Sequence, residues 1–146
     1  MKLKKTIKAP KNYIYQQLIQ SSLYDIKQQT GKTLSEKQLS GFKYEKKIQG
    51  RAAGTIKIGT VSADKEYSFL TETKDGSYDT TWKLTEITDS ETLVEITEKS
   101  VAKTMSQLVS NWLTWAFLQT IKKRTMKQML ERMEKEYANT LQKEKV

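Results

Sequence analysis

Cysteine and histidine are both missing from this 146-residue chain. Their absence removes disulfides, thiolate nucleophiles, imidazole bases and every zinc site built on nitrogen or sulfur ligands. Proline occurs once, at Pro10, and none of the six glycines lies beyond Gly76. The second half therefore lacks the strongest local breakers, and long regular elements are expected there. Long apolar runs are missing too. The most apolar stretch, Leu108 to Ile121, is interrupted by Ser110, Asn111, Thr114, Gln119 and Thr120. Neither a membrane span nor a signal peptide is expected, although the chain starts with Lys2, Lys4, Lys5 and Lys8. The expectation is a cytoplasmic protein. No Gly-rich phosphate loop or calcium-loop spacing occurs, so no cofactor and no metal is expected.

What the chain does contain is charge, at 29% of residues, with a net charge of +9. Residues 1–51 hold 12 Lys/Arg against 3 acids, residues 52–101 hold 5 against 10, and residues 102–146 hold 9 against 4. Basic ends flank an acidic middle. Such segments solubilise and attract each other; the alternative is a basic face that recruits an acidic partner, anionic lipid or nucleic acid. No helix-turn-helix, Arg-Gly or RNA-binding signature is present, so no specific nucleic acid is expected. The hydrophobic fraction of 36% is modest but patterned, which points to one folded domain across residues 1–146.

The pattern begins with a short strand, Leu3 to Ile7, handed to a helix at Ala9-Pro10 with Ile14 and Leu18 one turn apart. Ser21 and Ser22 divide this helix from a second helical piece containing Leu23, Tyr24 and Ile26, which Gly31 stops. Ser35 and Gln38 have capping-box spacing, with Leu34 and Leu39 placed as a hydrophobic staple. From Phe42 the period drops to two: Phe42/Tyr44/Lys46/Ile48, Ile56/Ile58, Tyr67/Phe69, Tyr78/Thr80/Trp82/Leu84 and Val94/Ile96 each share one face, and the intervening positions are largely polar. One face is covered and one is wet, as in an antiparallel meander. Gln49-Gly50, Asp75-Gly76 and Asp89-Ser90 are its turn dipeptides.

Lys103 to Val146 reads as one long amphipathic helix. Its apolar stripe is interrupted at Gln119 and Lys123, where either the helix kinks or splits, or polar groups face something other than core. The basic segment Lys122, Lys123, Arg124, Lys127 and Arg132 around Met126, Met129, Leu130 and Met133 is expected to pack on the sheet first and to form a homodimer contact second. The class is therefore α+β: a curved antiparallel sheet of about six strands wrapped on a long C-terminal helix, with short helices between strands 1 and 2.

This arrangement resembles the helix-grip fold of the START-like superfamily (SRPBCC), which includes birch-pollen-allergen-like and polyketide-cyclase-like proteins. The stretch Ile7-Lys8-Ala9-Pro10-Lys11-Asn12-Tyr13-Ile14-Tyr15-Gln16-Gln17-Leu18 is similar to that superfamily's opening, with Ile14, Tyr15 and Leu18 in its apolar and aromatic places. Asn12 and Gln20 stand near positions where acidic residues are frequent. Within the superfamily the chain looks most like an uncharacterised family from Gram-positive bacteria. The resemblance implies an internal pocket for a hydrophobic or amphipathic, lipid-like small molecule.

Such a pocket would be lined by Tyr44, Ile56, Ile58, Phe69, Tyr78, Trp82, Trp112, Trp115 and Ala116, with Gln119 and Lys123 as its polar members. The apolar lining equally describes a filled core. Lys5, Lys46 and Thr80 also fall on inward faces, where they either meet a ligand's polar group or reach water at an element end. For catalysis, Asp75, Asp79 and Asp89 are expected at or near turns, and Glu66, Glu72, Glu95 and Glu98 are expected to be exposed. No carboxylate dyad can then be named, and a cyclase- or hydrolase-like enzyme would need a buried Lys, Tyr or carboxylate.

Overall fold

The single proline stands where a strand becomes a helix. Strand β1 (Lys2–Ile7) ends at a buried Ile7, and Pro10, with φ −66° and ψ 149°, is the residue from which helix α1 (Lys11–Thr30) departs. The buried Thr92 hydroxyl donates to the Ala9 carbonyl at 2.8 Å, which fixes this junction to the sheet. The structure, a computed structural model, describes residues 1–48, 50–74, 76–102 and 112–144; the side chains at 48, 51, 52, 102 and 112–121 fall outside that description. After α1 come β2 (Lys43–Ile48), β3 (Arg51–Ser62), β4 (Glu66–Thr73), β5 (Gly76–Thr88), β6 (Glu91–Ala102) and helix α2 (Trp112–Glu144).

Helix α1 is one element, which corrects the expected division at Ser21 and Ser22. Its inward positions Ile14, Tyr15, Leu18, Ile19 and Ile26 are buried at helical spacing, and Ser22 falls on the same side, where its hydroxyl bonds to that of Tyr67. A serine that finds a tertiary partner need not interrupt a helix. Gly31 ends it in the left-handed conformation at φ 76°, its N–H bonded to the Lys27 carbonyl at 2.9 Å. Beyond it, Ser35 and Gln38 form the expected capping box around a 3-10 turn, Glu36–Gln38, and Leu39 is fully buried.

Among the described residues, six strands form one antiparallel sheet in the order β1-β6-β5-β4-β3-β2. The meander from β2 to β6 follows chain order, and β1 closes against β6. The turn between β3 and β4 passes through Asp64 at φ 60°, a position the turn dipeptides had not marked. Asp89 and Ser90 form the β5–β6 turn; Gln49 and Asp75 lie outside the described residues. Both helices cover the same face. The wet face carries Lys43, Glu45, Lys47, Lys57, Asp79, Lys83 and Thr85, all exposed.

Helix α2 has 33 residues and is about 50 Å long at 1.5 Å per residue. Its helical backbone is continuous through Gln119 to Lys123, so it is not split there; residues 103–111 and 145–146 of the expected helix lie outside the described residues. Leu130 and Met133 are buried, with Met126, Met129 and Tyr137 packed against the core. Tyr137 meets Tyr13 of α1 with ring centroids 4.9 Å apart. Lys5 donates to Glu131 at 2.9 Å, and the Lys8 backbone N–H donates to Glu134 at 2.8 Å. The C-terminal half of α2 is thus tied to β1 and to the start of α1. Each fully buried aliphatic side chain in this region contributes about 1.5–3 kcal/mol.

Where β2 and β3 change register beside Lys46 and Lys47, Gly54 adopts φ +155° and its backbone lies against Glu72. A Cβ there would stand 2.3 Å from the Glu72 carbonyl oxygen. Gly54→Ala is expected to lower stability by about 2 kcal/mol or more in urea unfolding, since both the backbone angle and the space forbid the methyl; an unchanged midpoint would show that β3 can move away.

Candidate functional site

Strand register assembles the covered face into transverse rows. Tyr67, Trp82, Ile96 and Leu3 form one row across β4, β5, β6 and β1. All four are buried, and this end of the face is filled by side chains of the protein itself. The next row is Ile58, Phe69, Thr80 and Glu98, and the one after it Tyr44, Ile56, Thr71, Tyr78 and Ser100. Here the face becomes polar and partly open. Thr80 and Glu98 are buried, whereas Ile56, Phe69, Thr71 and Tyr78 remain partly exposed. Helix α2 reaches this region with its N-terminal half.

Two polar clusters border the open rows. On the α2 side, Lys122 donates to Glu98 at 2.7 Å, and its ammonium lies 4.5 Å from the centroid of the Tyr78 ring. The Glu98 side chain is 7% exposed and that of Lys122 37%, so the carboxylate is inside and the cation at the rim. The Glu98 backbone is held as well: its N–H donates to the Met1 carbonyl, and the Met1 ammonium donates to the Glu98 carbonyl, both at 2.9 Å. On the α1 side, Asp25 accepts from the Tyr44 hydroxyl at 2.6 Å and from Lys46 at 3.1 Å. Tyr15 donates to Glu36 at 3.4 Å. Asp25 and Ser22, one helical turn apart, thus fasten α1 to β2 and β4.

Of the sequence-predicted site residues, Tyr44, Ile58 and Trp82 are buried, while Ile56, Phe69 and Tyr78 line the partly open rows. The side chains of Trp112, Trp115, Ala116 and Gln119 lie outside those described. Lys123 is exposed, contrary to its expected inward position; the neighbouring Lys122, about 100° away around the helix, makes the inward contact. Lys5 and Lys46 are paired with Glu131 and Asp25, so carboxylates of the chain itself, and not a ligand, meet them.

Glu98 corrects the expectation that it is exposed. It shares parity with Val94 and Ile96, and that alternation was the signal for its position. Asp25 and Ser22 were missed for a different reason, because their partners lie 19 and 45 residues away. The Thr80 hydroxyl and the Trp82 indole N–H, each on a residue only 3% exposed, have no hydrogen-bond partner among the described residues. Leaving such a group unpaired costs about 1–3 kcal/mol. Among the described residues no group of three or more Asp or Glu side chains is placed to hold a metal ion, and no helix is long and apolar enough to cross a membrane.

The fold is shared with solved structures. Protein MLL2253 from Mesorhizobium loti aligns over 96% of this chain and 97% of its own, with a TM-score of 0.63 and 16% sequence identity. SA2116 from Staphylococcus aureus, a protein of unknown function, aligns over 95% and 94%, with a TM-score of 0.62 and 12% identity. A START superfamily protein from Mycobacterium smegmatis aligns over 88% and 97%, with a TM-score of 0.50 and 10% identity. At such identities the likeness establishes the START-like fold and nothing further. None of the curated proteins matches the sequence. Residues 1–119 match the family model described as domain of unknown function DUF3284.

Tyr15 of α1, and Tyr44 and Tyr67 on the strands that α1 is bonded to, are held in the neutral form. Burial, reinforced by the Glu36 carboxylate, pushes Tyr15 up to about 12. Burial and then the bond to Asp25 raise Tyr44 further, and burial raises Tyr67 despite the opposing effect of Ser22. At neutral pH none of the three is a base. The folded chain keeps protons that the unfolded chain releases above pH 10, so this contribution to stability is whole below that value and is lost as pH rises through the folded-state values. The urea midpoint is expected to fall steadily above pH 10, with tyrosinate absorbance at 295 nm rising as the chain unfolds. Tyr44→Phe should cost about 1–3 kcal/mol at neutral pH and make the alkaline decline shallower; an unchanged slope would exclude Tyr44 as a contributor.

Proposed function

The chain belongs to the DUF3284 family and has the START-like fold, and on that premise we propose that it binds a hydrophobic or amphipathic small molecule between the covered sheet face and α2. The observation that carries this reading is Thr80, a polar residue 3% exposed whose hydroxyl has no partner among the described residues. Around it, Ile56, Phe69 and Tyr78 offer apolar surface that the rest of the chain covers only in part. Apolar walls with a few placed polar groups are how small-molecule sites are built. Ile58, Trp82 and Tyr44 form the floor and one wall, and Lys122, at the rim, takes the part of the polar member expected of Lys123. Trp112, Trp115, Ala116 and Gln119 belong to the same proposal as the helix side of the site.

A binding role without chemistry is the better fit. The one carboxylate on these rows is ion-paired through Lys122, and the buried tyrosines Tyr15, Tyr44 and Tyr67 are protonated. Native mass spectrometry of the purified full chain is expected to show a population heavier than the polypeptide, whose extra mass is released on denaturation and recovered in an organic extract. A bare polypeptide mass, together with no uptake of amphiphiles from solution, would overturn the proposal.

A further inference from the structure

The charges on the inner rows cancel, and the hydrogen-bonding groups left over are neutral. Glu98 and Lys122 are paired at 2.7 Å, and the same ammonium lies over the Tyr78 ring. The buried side-chain groups on these strands without partners among the described residues are the Thr80 hydroxyl and the Trp82 indole N–H. From this we infer that the site selects an uncharged hydrogen-bonding head, a hydroxyl or carbonyl on an apolar body, and holds it at Thr80 and Trp82 of β5. The inference rests on the reading above that a ligand occupies the site.

Geometry makes the two groups one subsite. Thr80 and Trp82 are two residues apart on the same face of β5, so their Cα atoms are about 7 Å apart. One head group placed between them can reach both. A threonine hydroxyl donates once and accepts, whereas an indole only donates. A ligand carbonyl can accept from both, and a ligand hydroxyl can accept from the indole while exchanging a bond with threonine.

A charged head meets opposition from the pair beside it. Glu98 is the cross-strand partner of Thr80, so its Cα lies about 5 Å away. A carboxylate bound at Thr80 would therefore face Glu98, and taking Lys122 for itself would strand a carboxylate whose side chain is only 7% exposed. An ammonium head would have to displace Lys122 from both Glu98 and the aromatic ring. A neutral head leaves the pair intact and supplies a partner to the Thr80 hydroxyl and the Trp82 N–H.

The test uses the full chain, stripped of bound amphiphile on a hydrophobic resin, and three probes of equal length: n-decanol, decanoate and decylammonium. Isothermal titration should show decanol binding at least tenfold more tightly than either charged probe. Thr80→Val, which keeps the shape and removes the hydroxyl, should cut that preference below threefold; Thr80→Ser should retain it. Without ligand, T80V should unfold at a urea midpoint no lower than the parent, because an unpaired hydroxyl has been removed. Tighter binding of decanoate or decylammonium, or a preference unmoved in T80V, would overturn the inference while leaving small-molecule binding intact. Failure of all three probes to bind would overturn the binding reading and the inference with it.

Discussion

Strand parity is the constraint on which this structure turns. Adjacent residues of a strand point to opposite faces; β4 pairs with β5 over Glu66–Thr73 against Gly76–Lys83, and β5 with β6 over Gly76–Glu86 against Thr92–Ala102, both without a register shift. Once Trp82 and Ile96 are placed under the helices, every second residue must follow them inside. Leu84 and Val94 follow at little cost. Thr80 and Glu98 follow for the same reason, although neither would choose an apolar environment. A slip of one residue would relieve them, but it would expose Trp82, Leu84, Val94 and Ile96 together. The hydrophobic rows hold the polar ones in place.

The two helices divide the covered face unequally. Helix α1 and the C-terminal half of α2 pack on the end where Tyr67, Trp82, Ile96, Leu130 and Met133 fill the space. Their attachments at that end are Ser22 to Tyr67, Glu131 to Lys5, and Glu134 to the Lys8 backbone, while Asp25, bonded to Tyr44 and Lys46, ties α1 to the border of the open rows. At the other end the described attachment of α2 is Lys122, bonded to a carboxylate and resting on an aromatic ring. Rigidity at one end and a polar contact at the other is an arrangement in which a ligand can be admitted without disturbing the packed half.

Much of the fold was legible because it depends on local pattern. Period-two alternation located the strands, Pro10 and Gly31 bracketed α1, and the Met126–Leu130–Met133–Tyr137 stripe identified the packed half of α2. What was not legible depends on pairing at a distance. Nothing in the neighbourhood of Asp25 announces that Tyr44 will donate to it, and Ser22 reads as punctuation until Tyr67 is opposite. Lys122 and Lys123 differ only in helix phase, and a single residue of phase error, about 100°, exchanged inside for outside. Glu98 is a different lesson. The alternation that placed Val94 and Ile96 inside also placed Glu98 there, and the expectation that a glutamate is exposed overrode a pattern already recognised.

The Glu98–Lys122 pair does not add stability merely by being a salt bridge. Withdrawing a carboxylate from water offsets most of what its attraction to a cation returns, and apolar residues of the same volume would hold α2 against β6 about as well. What apolar residues would not supply is direction. A 2.7 Å bond to a carboxylate whose backbone is itself clamped by Met1 favours rotations of the helix that keep residue 122 facing β6. The pair agrees with the phase that Leu130 and Met133 give α2 over the sheet, with residue 122 inward and residue 123 outward. The same phase carries the Lys122 ammonium over Tyr78, at the edge of the row containing Ile56 and Thr71. An ion pair in that position supports the orientation of the helix that covers the site and, by cancelling its own charge, leaves the interior electrically neutral beside Thr80.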